Sequence, residues 1–236
     1  MASARHGSRS MPVIPEHTTD LTAAGRLAGV RLYVITAAED APERVLATVR
    51  AACDAGAEVV QLRRKGEDAR LTLRLAERCR EIAVPGGGTL LVVNDRVDIA
   101  MAAGADGVHL GQDDLPLEAA RRLWPDGLVG RSTHSLGQAL AAQAEGADYV
   151  GVGPVYPTPT KPGRPAVGLE LVHAVAAARM RIPWVAIGGV DASTVGAVLG
   201  AGARAVAVVR AVSAAPDPEA AARSLHAAVR AAVVAA

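Results

Sequence analysis

Acidic and amide residues stand at both ends of the stretch "LVVNDRVDIAMAAGADGVHLGQDD" (91–114), with Asn94 and Asp95 near its start and Asp113 and Asp114 at its end. Two carboxylates held close together repel each other unless a cation lies between them. Oxygen ligands suit Mg²⁺, which completes its shell with water and phosphate oxygens. Asp95 and Asp114 are therefore candidate ligands of Mg²⁺. The alternative is that each caps the N-terminus of a helix, a common role for Asp.

A cluster of polar and basic residues, "QLRRKG" (61–66), precedes this stretch in the sequence. The period-2 alternation of a strand places Gln61, Arg63 and Lys65 on one side of the chain. Arg offers a bidentate fork and Lys a point charge, which are the groups that usually bind phosphate oxygens. The segment is thus interpreted as an anion-binding strand end, and a solvated strand end is the alternative.

Two further segments could hold phosphate. The segment "YPTPTKPG" (156–163) supplies another cation, Lys161, with Thr158 and Thr160 as hydroxyl donors. In "AIGGVDAS" (186–193), Gly188 and Gly189 let backbone N–H groups approach an anion near a helix start. Together with the acidic pair, these segments predict two phosphorylated groups in one site, one beside Mg²⁺ and one beside the glycines.

The elements that must position these residues repeat along the chain. Eight short apolar runs recur with helix-like Ala, Leu, Arg and Glu segments between them, which predicts eight strand–helix units. Apolar residues on both faces of each run are expected of buried parallel strands. The runs are 31–36, 58–63, 90–94, 107–110, 128–132, 149–153, 184–188 and 205–209.

This repeat predicts a single-domain (β/α)₈ TIM barrel over residues 29–236, preceded by a flexible tail over 1–28. The rival is an open doubly wound sheet, which usually carries a Gly-rich turn after its first strand, and no such turn follows 31–36. Barrel active sites form where the C-terminal ends of the strands converge. The polar residues at these predicted ends include all the candidates above, together with Ser132, His109 and His134.

Composition excludes several classes of partner. The chain has 25 basic and 24 acidic residues, so no overall charge favours nucleic acid or an acidic membrane surface. No window approaches the roughly 18 to 20 apolar residues of a membrane helix, and the first 20 residues lack the apolar core of a secretory signal. The two cysteines, Cys53 and Cys79, are typical of a reduced, cytoplasmic protein. A homo-oligomer is compatible with the sequence.

The chain closely resembles the thiamine-phosphate synthase family, also called thiamine-phosphate pyrophosphorylase. The resemblance runs from about residue 30 to about residue 230, and its specificity lies in the order of the motifs. These are "QLRRK", "VNDRVDIA", "GADGVHLGQDDLP", "GRSTH", "GADYVGVGPVYPTPTK" and "VAIGGV". It implies condensation of 4-amino-2-methyl-5-hydroxymethylpyrimidine diphosphate with 4-methyl-5-(2-phosphoethyl)thiazole, with release of diphosphate.

The resemblance also implies roles for individual residues. Asp95 and Asp114 would hold Mg²⁺, and Lys161, Ser132 and Arg63 would be the catalytic residues. The implied contacts of the pyrimidine diphosphate are Gln61, Arg63, Lys65, Asn94, Ser132 and Lys161. Those of the thiazole phosphate are Thr158, Thr160, Gly189 and the backbone of Val209 and Arg210. Arg210 departs from the Ser often found there, which matters little if the backbone makes the contact.

Two alternative functions stay open at this point. A thiazole tautomerase on the same barrel would not need the paired carboxylates, which this sequence has. A non-catalytic phosphate sensor would keep the glycine loops but could lose Lys161 or the Asp pair. His109 and His134 are interpreted as structural hydrogen-bonding residues, so no side chain is predicted to act as a nucleophile.

Overall fold

The computed structural model describes residues 23–83, 88–158 and 165–234, and within them eight parallel strands close into a barrel in the order β1 to β8. Each strand pairs with the next along the chain, and β8 pairs with β1. The predicted (β/α)₈ barrel is therefore confirmed. The strands are β1 Leu32–Ile35, β2 Val59–Leu62, β3 Leu90–Asn94, β4 Gly107–Leu110, β5 Leu128–Thr133, β6 Tyr149–Val152, β7 Trp184–Ile187 and β8 Val206–Val208.

The helices form a layer outside the barrel. They are α1 Ala23–Leu27, α2 Pro42–Asp54, α3 Ala69–Ala83, α4 Val97–Ala102, α5 Leu117–Leu123, α6 Leu136–Ala144, α7 Gly168–Ala177, α8 Val195–Gly200, α9 Arg210–Ser213 and α10 Pro218–Val234. Across the described parts of the chain, none of them combines the length and the apolar character that crossing a bilayer requires.

Alternation along the strands divides the core into two clusters. Residues such as Leu32 and Val34 face outward and pack against the helices, whereas Tyr33 and Ile35 face inward and fill the barrel. Because both faces of each strand are buried, apolar residues predominate on both faces, and the polar exceptions such as Gln61, Asn94 and Ser132 lie toward the C-terminal ends of the strands. This is the physical origin of the apolar runs in the sequence.

The recurring sequences "GAE" and "GAD" lie between a helix and the next strand. Their glycine ends the helix, and their acidic residue binds the backbone of the preceding strand. Gly56, Gly104 and Gly146 have φ of 77°, 63° and 89°, the left-handed conformation expected just after a helix. The acid that follows each glycine accepts hydrogen bonds from backbone N–H groups near the start of the preceding strand. For example, Asp148 Oδ2 lies 2.7 Å from Val129 N. These carboxylates fix the end of the barrel opposite the predicted site.

Glycine in β5 makes room for a large side chain inside the barrel. Gly130 pairs with Tyr149 on the neighbouring strand, and the Tyr149 ring is fully buried. A Cβ added at Gly130 would lie 2.2 Å from Tyr149 Cζ. The absence of a side chain at Gly130 therefore lets the Tyr149 ring lie across β5.

We expect Gly130→Ala to lower the free energy of unfolding by about 1–3 kcal/mol, the usual cost of overpacking. Urea denaturation measures this loss. Gly196→Ala in α8 is the matched control, because a Cβ there meets nothing within 4 Å and Ala favours a helix. Equal stability of the Gly130→Ala and Gly196→Ala variants would contradict this account of the barrel interior.

The predicted tail boundary at residue 28 falls beside a short helix. α1 occupies Ala23–Leu27, and Leu27 is buried with Val30 against the barrel interior. Arg26 forms an ion pair with Asp106. Residues 1–22 lie outside the described residues, so the flexible tail over 1–28 stays a prediction. Within its described part, Arg26 and Leu27 contact the barrel.

Candidate active site

A cavity of about 370 Å³ opens at the C-terminal ends of the strands and extends into the barrel. Its size is within the range of small-molecule sites. The lining includes eight of the residues predicted from the sequence: Gln61, Arg63, Asn94, Ser132, Thr158, Gly189, Val209 and Arg210. Thr160 and Lys161, also predicted, lie outside the described residues.

Two buried donors on residues that line this cavity have no hydrogen-bond partner in the part of the chain that the structure describes. Arg63 is 8% exposed, and within the described residues its Nε makes no hydrogen bond. The same holds for Nδ2 of the buried Asn94. Burial lowers the pKa of the Arg63 guanidinium, while Asp95 and Glu39 act to raise it. Buried donors without partners are costly, so their presence in a cavity points to an anionic ligand.

The predicted acidic pair is not among the residues that line this cavity. Asp95 and Lys65 line a second pocket, which shares Asn94 with the cavity. Burial and the neighbouring Asp114 carboxyl raise the pKa of Asp95, while Lys65 acts to lower it. Lys65 Nζ lies 2.8 Å from Asp95 Oδ2. Asp114 Oδ2 accepts a hydrogen bond of 2.6 Å from Gly111 N. The structure thus brings together Asp95, Asp114 and Lys65, which come from three different strand–helix connections.

Neither acid is the N-cap of the helix that follows it. Arg96 is the N-cap of α4 and Pro116 that of α5, and neither makes a side-chain capping bond. Asp95 itself has φ of 65°, a left-handed conformation that is uncommon outside glycine. The helix-cap alternative is therefore wrong: Asp95 pairs with Lys65 instead, and Asp114 accepts a hydrogen bond from Gly111 N.

The carboxylate pair fits a hard divalent cation. The described residues contain no group of three or more His, Cys, Asp or Glu side chains that could hold a metal ion. Two carboxylates would supply only part of an octahedral shell. Mg²⁺ commonly binds through one or two carboxylates and takes its other ligands from water and substrate phosphate. The donor set is consistent with that mode.

The glycine pair after β7 also serves packing. Val155 N donates to Ile187 O at 2.8 Å, and Tyr156 N donates to Gly188 O at 2.9 Å. Gly189 has φ of 63°, and a Cβ there would lie 2.6 Å from Tyr156 Cβ. A substitution at Gly189 would therefore displace the loop after β6 as well as obstruct a ligand.

A chain of hydrogen bonds along the cavity wall was not predicted from the sequence. It runs from Gln61 through Tyr33, Tyr149 and His109 to Ser132, with successive distances of 2.7, 2.8, 3.1 and 2.9 Å. One signal in the sequence could have drawn attention to it. The chain has three tyrosines and no phenylalanine, so a tyrosine at a strand position is exceptional here.

The two histidines at the mouth make the structural hydrogen bonds expected of them. His134 Nδ1 bonds to the Gly153 carbonyl, and its backbone N donates to Gln138 Oε1 at 2.7 Å. His109 bridges Tyr149 and Ser132. These contacts link β4, β5 and β6 along the cavity wall.

Comparison with known proteins identifies the family of this chain. The family model described as thiamine monophosphate synthase matches residues 32–212. The chain belongs to the thiamine monophosphate synthase family. A thiamine-phosphate synthase of Mycolicibacterium gilvum is 46% identical over 232 residues, covering 95% of each chain. One from Thermus thermophilus is 52% identical over 194 residues, covering 82% of this chain and 90% of that protein.

A solved structure extends the match to three dimensions. The thiamine phosphate pyrophosphorylase from Pyrococcus furiosus superposes with a TM-score of 0.78 at 35% identity. The alignment covers 86% of this chain and 97% of that one. Membership of the thiamine monophosphate synthase family, which the ordered motifs indicated, is confirmed, as is the barrel on which they lie.

Proposed function

We propose that this member of the thiamine monophosphate synthase family joins 4-amino-2-methyl-5-hydroxymethylpyrimidine diphosphate to 4-methyl-5-(2-phosphoethyl)thiazole. The products are thiamine phosphate and diphosphate. The observation that carries the proposal is the pairing of two buried donors, Arg63 Nε and Asn94 Nδ2, with the carboxylates of Asp95 and Asp114. Neither donor has a hydrogen-bond partner among the described residues. Donors and carboxylates side by side suit a metal-bound diphosphate better than a single phosphate.

The pyrimidine diphosphate would bind on the β2, β3 and β5 side of the cavity. Arg63 and Asn94 would donate to diphosphate oxygens, as would Lys65, Ser132 and Lys161. Asp95 and Asp114 would hold Mg²⁺, which when bound neutralises charge on the diphosphate. Gln61 lies deeper, with its amide nitrogen bonded to Tyr33, and would face the pyrimidine.

The thiazole phosphate would bind on the opposite side, after β7 and β8. Phosphate sites in barrels often form from these loops and the start of a short extra helix. Here Gly189 follows β7, Val209 follows β8, and the short helix α9 begins at Arg210. Backbone N–H groups of these residues and the hydroxyls of Thr158 and Thr160 would donate to the phosphate.

The reaction then needs no nucleophilic side chain. The bond between the pyrimidine methylene carbon and the diphosphate oxygen breaks first, and its electron pair leaves with diphosphate. The aminopyrimidine stabilises the methylene cation, and the thiazole nitrogen donates its lone pair to form the new C–N bond. Arg63, Lys161 and Ser132 assist by donating to the oxygen on which negative charge develops.

The thiazole tautomerase is the alternative within the same barrel. That reaction moves a proton and provides no diphosphate for a metal to neutralise, so the carboxylate pair would have no role in it. The proximity of Asp95 to Asp114 favours the synthase.

The direct test incubates the purified chain with both substrates and Mg²⁺ and detects thiamine phosphate by mass spectrometry. We expect product only when both substrates and the metal are present. Isomerisation of a thiazole carboxylate phosphate by the same preparation, with no thiamine phosphate formed, would support the tautomerase instead.

Replacement of Thr158 distinguishes the two proposed phosphate positions by kinetics. We expect Thr158→Val, which removes a hydroxyl at nearly constant volume, to raise KM for the thiazole phosphate about tenfold or more. KM for the pyrimidine diphosphate should change little, and steady-state kinetics with each substrate varied in turn distinguishes the two. A rise confined to the pyrimidine diphosphate would mean that the two substrate positions are exchanged.

We propose that the protein is cytoplasmic and that it forms a homo-oligomer. Cys53 and Cys79 are both unbonded thiols, which suits the reducing cytoplasm. Small molecules are the partners that the family implies. A homo-oligomer remains a proposal, and so does the absence of nucleic acid among the partners.

A further inference from the structure

The hydrogen-bond chain along the cavity wall contains three groups that the proposed reaction does not use: Tyr33, Tyr149 and His109. Tyr33 and Tyr149 are 2% and 1% exposed, and Gln61 is 2% exposed, so water does not compete for their hydrogen bonds. Burial raises the pKa of both phenols, which keeps both hydroxyls protonated. In a buried network in which every hydroxyl holds its hydrogen, a donor fixed at one end sets the direction of all the hydrogen bonds.

That direction can be followed from Gln61. Its amide Nε2 is a donor and points at Tyr33 Oη, 2.7 Å away. A hydroxyl carries one hydrogen, and the other oxygen bonded to Tyr33 is Tyr149 Oη at 2.8 Å. Tyr33 therefore donates to Tyr149.

The hydrogen bond from Tyr149 fixes the tautomer of His109. Tyr149 has accepted one hydrogen bond and directs its own hydrogen to His109 Nδ1, 3.1 Å away. A neutral imidazole that accepts at Nδ1 carries its hydrogen on Nε2. His109 Nε2 lies 2.9 Å from Ser132 Oγ and therefore donates to it.

We propose that His109 is a positioning residue that turns the Ser132 hydroxyl into a donor directed at the bound diphosphate. Because Ser132 Oγ accepts from His109, its hydrogen is left for the cavity that Ser132 lines. The opposite tautomer would accept the serine hydrogen and leave only an oxygen facing an anionic substrate. This inference rests on the proposed function of the cavity.

A double-mutant cycle tests the coupling. We expect His109→Leu to lower kcat about tenfold, with little change in either KM, because the Ser132 hydroxyl can then rotate freely. His109→Gln should retain most of the activity, because its amide nitrogen can donate to Ser132 in place of Nε2. In a Ser132→Ala background, His109→Leu should cost less than twofold. An equal loss in both backgrounds would overturn the proposal.

The tautomer is tested by NMR on protein labelled with ¹⁵N-histidine. We expect the His109 signal, assigned by its absence from His109→Gln, to show a neutral ring with hydrogen on Nε2. In Tyr149→Phe the ring loses its donor at Nδ1, and both tautomers should appear, with kcat lowered several-fold. A wild-type ring with hydrogen on Nδ1 would overturn the proposal, whatever the kinetics of the variants.

Assays of the wild-type enzyme distinguish failure of the proposed function from failure of the positioning role of His109. A wild type that forms no thiamine phosphate refutes the proposed function. A wild type that does form it, with His109→Leu equally damaging in both backgrounds, refutes only the positioning role. Thermal melts accompany each variant, and His109→Gln and Tyr149→Phe keep the test decisive should the leucine variant fail to fold.

Discussion

Asp95→Asn and Asp114→Asn are each expected to lower kcat by about two to three orders of magnitude, comparable to the loss of one key charge-stabilising group in an active site. Each change removes one of the two carboxylates proposed to hold Mg²⁺ against the diphosphate. Asn is preferred to Ala at position 95 because Asp95 has φ of 65°, which Asn tolerates better than Ala. The backbone should therefore keep its shape.

Stability gives a second readout that does not depend on turnover. Burial and Asp114 raise the pKa of Asp95, so its ionised form is the costly one in the folded chain. Stability without metal should thus fall as pH rises from the unfolded-state pKa of Asp through the raised folded-state pKa. At neutral pH, Asp95→Asn without metal should be at least as stable as the wild type.

Mg²⁺ with free diphosphate should raise the melting temperature of the wild type and leave that of either variant unchanged. Asp98→Asn is the matched control, because Asp98 pairs with Arg96 on the exposed surface of α4. Full activity and an undiminished Mg²⁺-dependent shift in Asp95→Asn or Asp114→Asn would remove that residue from the metal site.

Arg63→Met is expected to lower kcat/KM for the pyrimidine diphosphate by about two to three orders of magnitude. The guanidinium is buried, and its Nε has no partner among the described residues, so it is held ready for an anion. Met has a similar length without the charge. The free energy of unfolding should stay the same or increase, because a buried charge without a bound counterion costs stability.

Arg64→Met is the matched control for this change. Arg64 is the next residue, but it faces the other side of the chain, where it pairs with Glu67 at 2.7 Å and donates to the Asp40 carbonyl. Its loss should affect stability slightly and turnover little. Isothermal titration with diphosphate and Mg²⁺ completes the comparison. Undiminished diphosphate binding by Arg63→Met would contradict the proposed role of Arg63.

The opposite signs expected for activity and stability follow from one cause. Groups that bind a charged substrate must be desolvated before it arrives, and the fold bears that cost. Replacing a residue that serves only the structure would lower the free energy of unfolding of the protein, whereas replacing Arg63 or Asp95 should not lower it.

The sequence alone determined the order of the elements and the ends at which polar residues lie. Each of the eight strands occurs within about one residue of its predicted bounds, because a strand buried on both faces is rich in apolar residues on both faces. Parallel strands then place their C-terminal residues at one mouth. Arg63, Asn94 and Ser132 could therefore be assigned to a common site without knowledge of any distance.

Only the tertiary structure decided which residues meet across the barrel. Tyr33 and Tyr149 are 116 residues apart in sequence, and their contact depends on closure of β8 onto β1 and on the space left by Gly130. Alternation along a strand predicts which face of the sheet a side chain occupies, but it does not predict which residue that side chain contacts. Likewise, the left-handed backbone at Asp95 and the turn that brings Asp114 to Gly111 N arise from loops, whose conformation apolar periodicity does not encode.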